Sequence, residues 1–257
     1  MKRFISILQF MTRIPININT GFDKEFHKTL TYFPLVGLVL GVLEFLIGTI
    51  ALKIFDPFIS SLIITLSAVI LTGGLHLDGL GDTFDALYSY RDKEKMLEIM
   101  KDSRLGTNSL LAVIFLLLFK IGFIYSIINK GFLWIVMFMP ILGRLGVLVL
   151  TYKTVTPRKN GLGNLFIGKC SLGMFSGATL YSLVMLGLIS KFIFASTNLV
   201  LISILISVPI VFLYNVIFKN HVYKKIEGVT GDILGCSIEL SELIYLIYIY
   251  IALTFVV

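Results

Sequence analysis

Three aspartates, Asp78, Asp82 and Asp85, recur at i, i+4 and i+7 in the segment GGLHLDGLGDTFDALYSY, residues 73–90. On a helix turning ~100° per residue they fall within ~60° of one another. Carboxylates stacked on one stripe repel each other and resist desolvation, so the pattern requires positive charge among them. A hard divalent cation such as Mg²⁺, which takes oxygen ligands, meets that requirement. A merely solvated helix face would mix lysine and glutamate with aspartate, and this stripe does not. His76 stands two residues before Asp78, on the other side of a continuous helix, and reads as a substrate contact rather than a metal ligand.

Three further polar segments carry reactive side chains. In MLEIMKDSRLGTNS, residues 96–109, Asp102 could complete the Mg²⁺ shell. Lys101 and Arg104, with Ser103 between them, could hold diphosphate oxygens. In GLGNLFIGK, residues 161–169, preceded by Arg158, the glycines permit close backbone approach to a phosphate or ring. Arg158 and Lys169 supply its positive charge. The spacing is not GxxxxGK[ST] and no strand precedes it, which excludes a P-loop. In GVTGDILGCSIELSEL, residues 228–243, Thr230 is a candidate substrate contact. Asp232 is a candidate metal ligand or acceptor of a substrate hydroxyl proton; the structural alternative is a helix-opening turn capped by Thr or Asp. A hard cation, diphosphate-binding bases and a carboxylate base, either Asp85 or Asp232, describe phosphoryl transfer from an activated diphosphate. Lys101 and Arg104 would spread the charge that develops on the transferred group.

The elements that must position these residues lie in a membrane. Hydrophobic residues make up 57% of the 257 and charged residues 14%, with mean hydropathy +0.95, whereas a soluble domain carries about 25% charged residues. The apolar residues come in blocks near the ~20 residues that cross a bilayer core. The sequence therefore predicts an all-α polytopic membrane bundle of about seven transmembrane helices, forming a single integral membrane domain over residues 1–257. Candidate spans are 31–53, 57–75, 107–127, 131–150, 172–190, 199–218 and 239–257. Lysines and arginines concentrate in alternate loops, the opposite ones holding only Lys53, Lys130 and Lys191. The positive-inside rule then puts the N-terminus in the cytoplasm and the C-terminus outside. Catalytic loops at about 76–106, 151–171 and 219–238 would face the cytoplasm from the cell (plasma) membrane.

The net charge of +7 follows from that distribution and does not imply a nucleic-acid partner; the expected partners are the lipid bilayer and small molecules, with homo-oligomerisation left open. The N-terminal MKRFISILQFMTRIP reads as an interfacial amphipathic helix rather than a cleaved signal. Cys170 and Cys236 have no CxxC spacing and read as unpaired thiols. Gly37 and Gly41 form a small-xxx-small pair for helix packing. Glu44, Lys120 and Arg144 are ionisable groups inside spans, and Lys120 is expected to pair with Glu44 or another cavity group.

The four polar segments, in this order, resemble the cobalamin synthase family, the adenosylcobinamide-GDP ribazoletransferases. The resemblance runs from FMTRIP (residues 10–15) through FPLVGLVLG (residues 33–41), GGLHLDGLGDTFDAL, MLEIMKDSRLGT and GLGNLFIGK to TGDILGCSIELSEL. It implies a multi-pass membrane transferase requiring Mg²⁺. In that reaction α-ribazole, or its 5′-phosphate, attacks the cobinamide-linked phosphorus of adenosylcobinamide-GDP, releasing GMP and giving adenosylcobalamin or its 5′-phosphate. By resemblance, Asp78, Asp82, Asp85 and Asp102 match the family's acidic motif positions and Lys101 and Arg104 its basic pair, while Lys169 and Asp232 match the later segments. Ala86 and Ser109 stand where similar sequences tend to have Gly, and Gly81 and Cys236 where Ala is usual. Two other readings remain in view. A CDP-alcohol phosphotransferase would carry DG-x2-AR, but Leu80, Gly81 and Asp82 follow Asp78 and Gly79. A cation or solute transporter would place its carboxylates near the bilayer midplane, often in two related halves.

Overall fold

An apolar segment can hide its backbone polar groups from lipid only by forming a helix or a closed barrel, and helices are what these runs form. The structure, a computed structural model, describes residues 1–21 and 23–256; among them there is no strand, only an isolated bridge between Tyr152 and Cys170. In chain order the helices are α1 (Lys2–Met11), α2 (Phe33–Ala51), α3 (Pro57–Thr72), α4 (Leu75–Leu87), α5 (Lys93–Ile99) and α6 (Thr107–Asn129). A broken span follows, α7 (Leu133–Val136), α8 (Met139–Gly146) and α9 (Leu148–Thr151), and then α10 (Leu172–Leu188), α11 (Asn198–Ile226) and α12 (Gly231–Val256).

Six helical stretches are long and apolar enough to cross a bilayer, and α3 with α4 would make a seventh, broken by a 91° bend. The polytopic bundle expected from hydropathy is thus observed. Asp56 starts α3 by accepting from the amides of Phe58 and Ile59 at 2.7 and 3.0 Å, with Pro57 at the first helical position. Gly73 (φ +65°) and Gly74 (φ +71°) stop it in the left-handed region that glycine enters without penalty. With 16 residues α3 rises about 24 Å. It is the longer limb of the pair; α4 leaves it at a right angle and packs against α12 and α6.

Two segments expected as loops are largely helical. Residues 219–226 continue α11 and residues 231–238 open α12, so that 227–230 alone connect them. Lys219, Lys224 and Lys225 end the apolar run but not the helix, because Val222 and Ile226 keep burying one face at i, i+4 spacing. Likewise α4 and α5 occupy much of 76–106.

The α7–α9 span is almost entirely enclosed, whereas α6 and α10 turn most of their surface outward. Gly37 and Gly41 of α2 lie directly on the backbone of Pro140 and Met137, the close approach that small residues allow where lipid provides no hydrophobic drive between helices. Inside this packing Lys120 donates to Glu239 and to Glu242, both at 2.6 Å, and Arg144 donates to Glu242 at 2.8 Å. Glu44 is buried nearby, yet its Oε2 has no partner. The partners of Lys120 are therefore carboxylates of α12, one helical turn apart, and not Glu44. Cys170 and Cys236 are both free thiols.

Removing one member of a buried ion network strands the others in low dielectric. Glu242→Ala leaves Arg144 without a carboxylate and is expected to destabilise the protein by about 3–5 kcal/mol. Glu98→Ala, which breaks an exposed pair with Lys95, should leave the midpoint unchanged within error. Thermal unfolding of the two variants in the same detergent checks this.

Candidate active site

The site is built where α4 crosses the start of α12, the most extensive helix–helix contact in the molecule. Neither helix has room for a side chain at the crossing. A Cβ on Gly79 would stand 2.7 Å from the Asp232 carbonyl oxygen, and one on Gly235 would stand 3.3 Å from the His76 Cα. The contact sets Asp78 and Asp82 of α4 beside Asp232 in the first turn of α12.

Two cavities open on this crossing and share Leu75 and Asp78 in their walls. The larger, about 670 Å³, is lined by the acids Asp78, Asp82 and Asp102 and the bases Arg13, Lys101 and Arg104, of which Arg104 is paired with Asp102. The smaller, about 280 Å³, has an aromatic wall of Phe10, Phe33 and Phe166 and a polar wall of His76, Arg158, Asn164 and Asp232. Phe166 fixes the glycine-rich segment against the N-terminal part of the chain, its ring 5.7 Å from Phe10 and 5.3 Å from Phe33. Gly163 lies against the backbone of Gly231, so the same segment also abuts the start of α12.

The polar wall of the smaller cavity is incompletely satisfied. Arg158 forms an ion pair through Nη1 with Asp232 Oδ2 at 2.7 Å, but its Nε and Nη2 are buried without a partner. His76 Nδ1 is buried and also lacks one. Each such group costs about 1–3 kcal/mol when left unpaired. Native structures rarely retain them without a reason, and an incoming phosphoryl oxygen supplies the acceptor that a guanidinium requires. Asp232 itself keeps Oδ1 uncommitted, while Oδ2 also accepts from the Thr230 hydroxyl at 3.3 Å.

In the larger cavity burial, then repulsion from Asp78 and Asp232, raises the Asp82 carboxyl to about 7. Asp102 behaves oppositely. Hydrogen bonds from the Arg104 side chain and backbone hold it at about 2, with Arg104 Nε at 2.9 Å from Oδ1.

The structure thus brings together Asp78, Asp82, Asp102, Lys101, Ser103 and Arg104 around one cavity and His76, Arg158 and Asp232 around the other. Thr230 stands behind Asp232. Two candidates stand apart. Asp85 accepts from the Gly106 amide at 2.8 Å and the Ser109 amide at 2.9 Å, so both of its oxygens cap the start of α6, and it lines neither cavity. With each oxygen already holding a backbone donor, Asp85 is a weaker candidate for metal ligand and for base than the aspartates that line the cavities. Lys169 is exposed and also lines neither cavity. Among the described residues no group of three or more His, Cys, Asp or Glu is poised to hold a metal alone. Two carboxylates one turn apart, with substrate phosphates completing the shell, nevertheless suit Mg²⁺.

Arg13 and Asn164 were not singled out from sequence. Arg13 is tied to the end of α3 by its amide, 2.7 Å from the Leu71 carbonyl, and its side chain lies over Gly73. The sequence signals for Arg13 are its place in the FMTRIP motif and just after the amphipathic pattern of α1 ends.

The family model for CobS, cobalamin-5-phosphate synthase, matches residues 3–250. The chain belongs to this family. It is 65% identical to the adenosylcobinamide-GDP ribazoletransferase of Clostridioides difficile (strain 630), over 98% of each chain. It is 44% identical to that of Alkaliphilus metalliredigens (strain QYMF), over 97% of this chain and 95% of the relative. No solved structure matches it.

Two of the residues at which the sequence departs from similar ones meet in space: a Cβ on Gly81 of α4 would collide with the Ser109 hydroxyl of α6. Glycine at 81 makes room for serine at 109. In a double-mutant cycle, Gly81→Ala should be more favourable in a Ser109→Gly background than alone, by about 1 kcal/mol. Unfolding midpoints of the four proteins give the coupling.

Proposed function

We propose that this chain transfers the cobinamide-linked phosphoryl group of adenosylcobinamide-GDP to α-ribazole, or to its 5′-phosphate, releasing GMP and completing adenosylcobalamin or its 5′-phosphate. Its site would face the cytoplasm from the cell membrane. The observation that carries this reading is the pair of unlike cavities sharing Asp78 in a chain that belongs to the cobalamin-5-phosphate synthase family over nearly its whole length.

Each cavity suits one reactant. Arg13, Lys101 and Arg104 rim the larger one and can hold diphosphate oxygens. The smaller, near the lower edge of the ~300–1,000 Å³ range of small-molecule sites, offers an aromatic wall to an acceptor the size of a nucleoside. The scissile diphosphate then lies near Asp78, with the unpartnered nitrogens of Arg158 directed at its oxygens. The acceptor hydroxyl oxygen bonds to the cobinamide-linked phosphorus, and the bond from that phosphorus to the GMP oxygen breaks. Asp232, which lines the acceptor cavity with a free carboxylate oxygen, takes the hydroxyl proton; Asp85, engaged as a cap, is the weaker candidate. When bound, Mg²⁺ held by Asp78 and Asp82, with Asp102 within the same cavity, would supply positive charge to the diphosphate.

A transporter would carry its carboxylates within the span. Here Asp78 and Asp82 lie on α4, which turns at a right angle from α3, and of the carboxylates buried within the spans Glu239 and Glu242 are paired with Lys120 and Arg144, leaving only Glu44 with an unpartnered oxygen among the described residues.

GMP release by the purified protein in detergent, without a gradient, tests the reaction. Release should need adenosylcobinamide-GDP, α-ribazole and Mg²⁺ together. Asp78→Asn and Asp82→Asn should each lower kcat by about 10²-fold or more in protein that still inserts and folds. Near-normal turnover of either variant at saturating Mg²⁺ would place the metal elsewhere.

The raised Asp82 carboxyl adds a pH dependence. Below about pH 7 it carries a proton that the cation must displace, and above that value it is already ionised. Mg²⁺ affinity should therefore rise as pH approaches 7 and then level off. Calorimetry in buffers of different ionisation enthalpy should find about one proton released per Mg²⁺ at pH 6 and about none at pH 8.5; proton release independent of pH would remove Asp82 from the shell.

A further inference from the structure

A third cavity, of about 480 Å³, opens on the same end of the bundle and shares no residue with the other two. It is lined by Lys153, Thr154, Lys219, Asn220, Tyr223 and Lys224. No carboxylate lines it, and none of its three lysines forms an ion pair among the described residues. Three lysines lining one cavity without a carboxylate raise its positive potential, and a phosphate ester relieves their mutual repulsion. Thr154 is occupied within the fold, donating to the Leu150 carbonyl and accepting from the Gly168 amide. The Tyr223 hydroxyl accepts from the Val155 amide at 2.9 Å and retains its own hydrogen to donate. Lys153 sits at φ +50°, a conformation costly for a side chain with a Cβ, with its ammonium 5.3 Å from the Tyr152 ring centre.

The position of this cavity along α11 selects the kind of phosphate ester. Leu213, Val216 and Ile217 are exposed apolar residues in the bilayer part of α11, and Asn220 and Lys224 continue the same face at helical spacing. A molecule seated in the cavity therefore has a lipid-facing stripe running directly away from it. We propose that the cavity binds the headgroup of an anionic phospholipid, with the phosphate among Lys153, Lys219 and Lys224 and the acyl chains on Leu213, Val216 and Ile217. Basic pockets between transmembrane helices at a membrane face bind such headgroups on this principle. The bound lipid also braces the segment that carries Arg158: Val155 is hydrogen-bonded through its carbonyl to the Val229 amide at 2.9 Å, and Lys153 and Thr154 begin that segment.

Native mass spectrometry of the full chain, released from nanodiscs of mixed phosphatidylglycerol and phosphatidylcholine, tests the site. The natural protein should retain phosphatidylglycerol in preference to phosphatidylcholine. In Lys153→Gln/Lys219→Gln/Lys224→Gln that preference should fall about a hundredfold, each lysine near an anionic surface contributing roughly a fivefold factor. Lys2→Gln/Lys24→Gln/Lys95→Gln, which removes the same charge elsewhere, should keep it. Equal loss in both triple variants, or loss in neither, overturns the proposal. Displacement of phosphatidylglycerol by millimolar inorganic phosphate would mean that the cavity takes free phosphate, and overturns the assignment to lipid. Lys224→Gln alone, on an exposed helical position where glutamine is tolerated, should lower the preference about fivefold; it decides the matter if the triple variant does not fold.

Discussion

The crossing of α4 over the first turns of α12 is the constraint on which the rest of the site depends. Glycine at 79 and 235 lets the two backbones approach until Gly79 touches the Asp232 carbonyl and Gly235 touches His76. A Cβ at 79 would collide with that carbonyl and one at 235 would press on His76, so larger residues would hold the helices further apart and draw Asp78 away from Asp232. The crossing makes two demands. The chain must turn sharply between α3 and α4, which Gly73 and Gly74 allow by accepting positive φ. The long helix α12 must also be held in one rotation, so that Gly235 and not a neighbour faces α4.

That rotation is set by polar groups. Glu239 and Glu242 lie one turn apart on the face of α12 toward α6 and α8, where Lys120 and Arg144 meet them. At the same level of the helix, Ser237 donates to Asn215 of α11, and Asn215 donates to Ser241. Turning α12 by even one residue, ~100°, would bury these groups without partners, at several kcal/mol for the charged ones. Apolar packing alone would not discriminate so sharply, since lipid tails solvate a leucine as well as another helix does. Around this fixed pair the remaining parts are looser. The Asp102–Arg104 pair is exposed, with Arg104 88% accessible, and a solvated pair of this kind is weak. A diphosphate, presenting several charged oxygens, can take the Arg104 guanidinium from Asp102 without a large penalty. Asp85 acts differently, holding the start of α6 and thereby the end of the loop that carries Lys101 and Arg104.

How much of this was legible in the sequence depended on whether the signal was one-dimensional. The spans were, because hydropathy counts residues without asking where they face. The Asp78–Asp82 stripe and the glycine-rich segment beside Arg158 were also legible, being local patterns of residue type. Helix ends beyond the bilayer were not, since Lys219, Lys224 and Lys225 interrupt hydropathy while Val222 and Ile226 continue the helix. The partners of Lys120 were hidden because the choice between Glu44 and the two glutamates of α12 depends on helix rotation. Asp85 fits the aspartate stripe by spacing alone, and only the arrival of α6 shows that its oxygens are taken. The place of Arg13 beside the cavity was hidden because it is set by a contact with the end of α3, across nearly sixty positions of sequence.

The same geometry explains why a reaction on polar substrates is built on membrane helices. Most of the lining of the two cavities comes from where a helix ends or begins: the end of α1, the start of α2, the α3–α4 turn, the loop before α6, the segment after α9 and the start of α12. Each of these is continuous with a helix held in place by its packing in the bundle. Glu242 is ten residues from Asp232 along α12, about 15 Å at 1.5 Å per residue, and a single α-helix joins them. A shift at the ion network is therefore carried to Asp232 with little loss, because tight packing leaves the helix between them little room to deform. The bundle serves the chemistry as a rigid frame: polar groups deep in the membrane fix positions that the exposed loops could not hold for themselves.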